Sequence, residues 1–193
     1  MMQPEEGTVR AHSLNIVRIG GVPAGLAETL VMRLSRRVAL PCRVAATDLQ
    51  GELPWLAERP NQVDADALLR RLEEEARGGG AFLVGLAAVD LAIPIFTFVF
   101  GRARHRGSAA IVSVHRLAPE FYGLPPDLEV TLRRATDEVV HEVGHLAGLR
   151  HCHDHACIMH FAASVEAVDL RGPAFCPACR SDLPAHLLAD ARD

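Results

Sequence analysis

The sequence predicts an α/β domain: a twisted, mixed β-sheet with backing helices, one long helix carrying the chemistry, and a small cysteine-rich carboxy-terminal part. Three observations carry this expectation. Short β-type runs alternate with amphipathic helical runs along most of the chain, the order of a layered α/β fold. The run AFLVGLAAVDLA (81–92) is apolar on both faces, as a strand buried between layers must be. The last long stripe, over 128–149, leads straight into a cluster of histidines and cysteines. With 193 residues the chain can bury one substantial core, and nothing demands a second. One domain is expected over 1–193, with the sheet and helices in 1–147 and the cysteine-rich part in 148–193.

Taken in order, SLNIVRIG (13–20) alternates as a strand and stops at Gly20 and Gly21. The segment 23–40 opens on proline and places Leu26, Leu30, Val31, Leu34 and Val38 on one helical face, with arginines on the other. PCRVAATDL (41–49) reads as a second strand, followed by a polar loop through Trp55 and Pro60. DADALLRRLEEEARGGG (64–80) is a helix capped by Asp64 and stopped by three glycines. Residues 81–92 form the central strand. FTFVFG (96–101) and SAAIVSVHRL (108–117) are two more strands, flanking the basic turn GRARHRGS. LPPD (124–127) starts the long helix, whose stripe runs through Leu128, Leu132, Ala135, Val139 and Val143 and ends near Gly148. A final short helix is expected over 183–191.

Composition narrows the class. At 49% apolar, 23% charged and a net charge of −4, this is neither a disordered chain nor one built to coat nucleic acid. The amino-terminal MMQPEEGTVRAHS lacks the apolar stretch of a secretory signal, so a cytoplasmic location is expected. The most apolar run, 81–101, contains Asp90 and Pro94, which argues against a membrane helix and for buried strands. Four of the five cysteines, Cys152, Cys157, Cys176 and Cys179, fall within 28 residues, which in a reducing compartment points to metal rather than disulfides. Cys42 stands apart and reads as a small core residue.

On the long helix His141 and His145 lie four residues apart, so both imidazoles project from one face at a spacing one small cation can bridge. Glu142 sits between them, placed to take a proton from a metal-bound water and pass it to a leaving amine. Gly148 lets the chain leave the helix sharply and bring back His151 as a third nitrogen ligand. The full pattern H-E-x-x-H-x-x-G-x-x-H is that of the metzincins, in which a methionine turn follows, and Met159 is the candidate. The cysteines read C-x4-C, eighteen residues, then C-x2-C, the spacing of two thiolate pairs around one closed, structural zinc; the competing reading is a redox pair at Cys176 and Cys179. Two Zn2+ per chain are therefore expected, one catalytic and one structural.

These residues resemble a known family. HEVGHLAGLRHC, CIM and CPAC, spanning 141–179, are similar to the archaemetzincins, metzincin-like zinc metallopeptidases, and VDLAIP, FVFG and YGLPPD upstream resemble the same family more weakly. The resemblance implies His141, His145 and His151 as catalytic zinc ligands, Glu142 as general base, Met159 as the turn methionine and the four cysteines on a second zinc. Where some metzincins place a tyrosine two residues after the methionine, this chain has Phe161, so no oxyanion stabiliser beyond zinc is named.

The expected partner is a peptide or small protein, with neither nucleic acid nor membrane, and the expected state a monomer. SAAIVSVHRL is the candidate edge strand for pairing with an extended substrate. GRARHRG reads as a solvated turn, and His153, His155 and His160 as solvated loop residues. Two other functions fit parts of the pattern: a non-enzymatic zinc or peptide receptor, and a redox or zinc sensor built on the cysteines.

Overall fold

In the computed structural model, which describes residues 11–46, 48–49, 53–77 and 80–187, strand β1 (Leu14–Ile19) buries both faces. Leu14 and Ile16 enter one apolar cluster, Val17 and Ile19 another. Such a strand needs cover on both sides. Helices α1 (Ala24–Leu34) and α3 (Leu128–Leu146) supply Leu30, Leu34, Leu132 and Val139 on the first side; α2 (Ala65–Glu75) supplies Leu68, Leu69 and Leu72 on the second.

Five strands form the main sheet, in the order β2 (Cys42–Val44), β1, β5 (Phe82–Ala87), β8 (Ala109–Ser113), β7 (Gly101–Ala103). All neighbours are parallel except β7, which runs antiparallel to β8. The mixed sheet, with β5 at its centre, is as the sequence predicts. A second sheet holds three strands in the order β3 (Trp55–Leu56), β4 (Arg59–Asp64), β6 (Asp90–Ala92).

Four expectations are corrected. The polar loop through Trp55 and Pro60 contains β3 and β4. The strand expected over 81–92 is two, because Asp90 is buried and must be paired; the chain turns at Ala88 and Val89 to place it 2.7 Å from both Arg116 Nε and Nη2, and 2.9 Å from Gln62 Nε2, in the second sheet. Of FTFVFG, residues 96–100 form no strand and only Gly101 enters β7, which continues into the basic segment. Arg102 and Arg104 of that segment are exposed and pair with acidic residues of α2, with Arg102 Nε 2.9 Å from Asp66 and Arg104 Nε 2.7 Å from Glu73, so the charge stays on the solvent side of an edge strand. Finally, SAAIVSVHRL is not an edge: β8 lies between β5 and β7 with every residue buried, and β7 is the edge.

Helix α3 begins where Asp127 accepts a hydrogen bond from Val130 N (3.0 Å). At 19 residues it is about 28 Å long. Its middle is buried nearly all round, and several of its charged residues are paired there: Arg134 reaches Asp169 and the Leu117 carbonyl, and Arg37 reaches Asp137 at 3.0 Å. After it the chain folds back through α4 (Val165–Leu170) and α5 (Pro177–Asp182), and Cys157, Ile158, Met159, Leu183 and Leu187 join the same cluster as Leu132 and Val139.

Helix α1 stops earlier than the stripe over 23–40, and the last expected helix appears as a single turn, Ala185–Leu187. Residues 1–10 of the amino-terminal stretch, Gly78, Gly79 and residues 188–191 lie outside the described residues. No helix among the described residues is long and apolar enough to cross a membrane. Cys42 is half-buried on β2, its Sγ 3.2 Å from the Leu40 carbonyl, and burial raises its thiol above the usual value.

Candidate functional site

Helix periodicity brings His141 and His145 to one face of α3, and the helix end brings His151 to them. Leu149 N donates to Gly144 O (2.9 Å) and Gly148 N to His145 O (3.0 Å), the paired bonds of a left-handed helix stop, with Gly148 at φ 101°. That reversal returns the chain so that His145 Nε2 lies 3.1 Å from His141 Nε2 and 3.3 Å from His151 Nε2. A zinc bound to imidazoles at about 2.0–2.1 Å in tetrahedral geometry separates its nitrogens by about 3.3 Å. The spacing fits.

Tautomers agree with it. His141 Nδ1 donates to the Ile158 carbonyl and His145 Nδ1 to the Leu149 carbonyl, each at 2.8 Å. A carbonyl only accepts, so the proton is on Nδ1 and these two Nε2 lone pairs point into the site; at His141 the carbonyl contact is shorter than the 3.2 Å approach of Arg171 Nη1 to the same nitrogen and decides the tautomer. Burial pushes His141 well below its usual pKa and His145 down to about 4; burial lowers His151 as well. All three imidazoles are therefore neutral near pH 7, the form that binds metal.

Glu142 is buried beside them, and its Oε2 has no hydrogen-bond partner. Burial raises its carboxyl well above the usual range; the like charge of Glu138 adds to this, while Arg171 and Arg102 oppose it. It faces a cavity of about 880 Å³ walled by Phe96, Phe98, Phe100 and Phe161 and by the edge strand β7. Phe161 is half-exposed, its ring 5.1 Å from that of His151.

Met159, the candidate turn methionine, packs against Gly144 of α3. It is fully buried, and a side chain at Gly144 would overlap its Sδ and come within 3.2 Å of its Cε. Cys152 N donates to Met159 O (2.9 Å), tying the methionine turn to the segment that carries His151.

The four cysteine sulfurs lie within 4.8 Å of one another, and Cys152 and Cys176 are 3.8 Å apart. Four thiolates around zinc at about 2.3 Å are separated by about 3.8 Å. Backbone N–H groups of Asp154, Met159, Cys176 and Cys179 point at the sulfurs. The bond from Cys179 N holds Cys176 below the usual thiol value, whereas burial pushes Cys157 and Cys179 up. A lone redox pair at Cys176 and Cys179 does not describe this group of four.

Three features escape the sequence patterns. Arg171, its side chain 1% exposed, forms a buried ion pair with Glu138 under the histidine site. Glu138 is one turn before Glu142 on the same helix face, a spacing that signals it; Arg171 carries no comparable mark. The basic segment is an exposed turn, as expected, but it also contacts the helix end: Arg106 N donates to His145 O (3.0 Å), and His105 Nε2 donates to Gly148 O (2.9 Å). His155 and His160, read as separate loop residues, face each other.

Comparison with known proteins agrees with this geometry. The sequence profile described as Peptidase family M54 matches residues 33–185. An archaemetzincin of Thermococcus kodakarensis is 41% identical over 180 residues, covering 89% of this chain and 95% of that protein. A zinc-dependent peptidase from Methanocorpusculum labreanum superposes with a TM-score of 0.81 at 28% identity, over 89% of this chain and 100% of its own. Archaemetzincin from Archaeoglobus fulgidus, solved as a complex with malonate, gives a TM-score of 0.75 at 29% identity, over 89% and 99%.

Proposed function

The chain belongs to peptidase family M54, the zinc metallopeptidases that include the archaemetzincins, and on that premise we propose that His141, His145 and His151 hold a catalytic zinc and that Glu142 is its general base and acid. The observation that carries this reading is the convergence of three imidazole Nε2 atoms, His145 standing 3.1 Å from His141 and 3.3 Å from His151, beside a buried carboxyl group with an unpartnered oxygen. A zinc there supplies Lewis acidity, making water nucleophilic near neutral pH and polarising a carbonyl.

The chain's own residues do the rest. Glu142, held in a dry environment that raises its proton affinity, takes a proton from the attacking water and returns it to the departing amine. Gly101 and the rest of β7 offer an open sheet edge beside the cavity, along which an extended peptide backbone adds as a further strand. The phenylalanine wall receives an apolar side chain next to the scissile bond. The substrate class is a peptide or small protein, taken by a single chain.

The four cysteines hold a second, closed zinc that fixes the turn. The direct bond between His151 and Cys152 means that ordering the cysteine site also positions the third histidine.

Glu142→Gln tests the reading. The variant keeps the zinc ligands and the size of the side chain but cannot take a proton, so hydrolysis of a peptide library should fall to background with zinc content unchanged. Turnover equal to wild type would end it.

A further inference from the structure

Three histidines remain outside the triad in the loop that links the two sites, and the structure pairs two of them. His155 Nδ1 lies 3.1 Å from His160 Nε2, with ring centroids 4.3 Å apart and ring planes at 57°. The other nitrogen of His160, Nδ1, is 3.0 Å from the Cys152 carbonyl. Since a carbonyl only accepts, the proton of His160 is on Nδ1 and the lone pair on Nε2 points at His155.

Such a lone pair has two uses: it accepts an N–H from His155, or the two rings share a cation. Two imidazoles on one divalent ion at about 2.0–2.1 Å stand about 2.9 Å apart at a right angle and about 3.3 Å apart at the tetrahedral angle. The observed 3.1 Å falls between these and equals the His145 to His141 spacing of the triad. His160 also shares with His141 and His145 the bond from Nδ1 to a backbone carbonyl, the support that fixes a metal-binding ring.

The loop is held before any ligand arrives. Cys152 N donates to Met159 O, His160 N donates to Cys157 O at 2.9 Å, and Asp154 Oδ1 accepts from Ala156 N at 2.9 Å. Little ordering entropy is then left to oppose binding. His155 is exposed and His160 half-exposed, so the pair is open to solvent and water can fill the remaining coordination positions.

We propose that His155 Nδ1 and His160 Nε2 form a third, surface binding site for a late first-row divalent cation such as Zn2+ or Ni2+, separate from the histidine triad and the cysteine group. Paired imidazole nitrogens with no carboxylate between them favour such ions over Mg2+ or Ca2+.

The test is equilibrium dialysis of the zinc-loaded full chain, free of any affinity tag, against rising Zn2+, with bound metal counted in wild type, His155→Ala and His160→Asn. Asparagine keeps an N–H for the Cys152 carbonyl, and both positions are at the surface, so folding is checked by equal melting temperatures of the zinc-loaded proteins before the Zn2+ concentration is raised. Wild type should bind one more Zn2+ per chain than either variant, whatever the triad and the cysteines hold. An equal count in wild type and either variant would mean a hydrogen-bonded pair only, and would overturn the site. Because neither variant touches the triad or Glu142, this outcome is independent of the hydrolytic reading.

Discussion

Gly101 of β7 lies against Glu142 of α3 with no room for a side chain between them: a Cβ on Gly101 would overlap Glu142 Oε1 and sit 2.9 Å from its Cδ. The edge strand and the proposed base therefore touch directly. A residue one methyl larger at position 101 must displace the carboxylate.

Gly101→Ala should leave the fold and zinc content intact and reduce kcat by about tenfold to a hundredfold, the usual consequence of misplacing a reacting group by around an ångström. Steady-state kinetics with a cleavable peptide measures this. A kcat equal to wild type would show that Glu142 is not held by that contact.

The direct bond between His151 and Cys152 joins the two proposed metal sites, and the closed cysteine site is expected to support the open histidine site more than the reverse. Cys179→Ala should loosen the turn and weaken zinc at the triad by about tenfold to a hundredfold, as loss of a supporting interaction does. His141→Ala should leave the cysteine zinc untouched. Competition with a chromophoric chelator reads both affinities, and equal effects in the two variants would contradict the coupling.

The Arg171 and Glu138 pair is buried, so removing one partner strands the other. Glu138→Gln should destabilise the protein by about 3–5 kcal/mol, and Glu138→Gln with Arg171→Met should recover much of that loss. Chemical denaturation of both variants checks it.

Asp169 joins α4 to α3 through Arg134 and Arg133, and these bonds hold its carboxyl below the usual range, Arg134 contributing most. A carboxylate with a depressed folded pKa stabilises at pH values above its unfolded pKa, and that stability is lost as pH falls through the folded value. Asp169→Asn should therefore lower the melting temperature at pH 7 and have progressively less effect as the medium is made strongly acidic. An Asn penalty independent of pH would rule out the charge pair as its origin.

How much of this is legible in sequence depends on how local the cause is. His141, His145, Gly148 and His151 follow from helical pitch and one helix stop, and all fall within eleven residues. The cysteine pairs are similar, since C-x4-C and C-x2-C fix local geometry even though Cys157 and Cys176 are distant in sequence. Gly101 is different. Its role arises only when β7 pairs with β8 and α3 packs beneath, and no local pattern separates it from an ordinary turn glycine. The same holds for the exchange of edge strands: the apolar alternation of SAAIVSVHRL marks a strand but not its place in the sheet, which depends on its long-range pairing with β5 and with β7. Arg171 reaches Glu138 across 33 residues, a relationship visible only after folding.

The most direct test of the account is the zinc content per chain of folded wild type and folded His141→Ala, purified in parallel. A drop of one zinc per chain, with the remaining metal resistant to the substitution, is the predicted result. The same zinc content in both proteins would contradict the assignment of His141, His145 and His151 to a metal site.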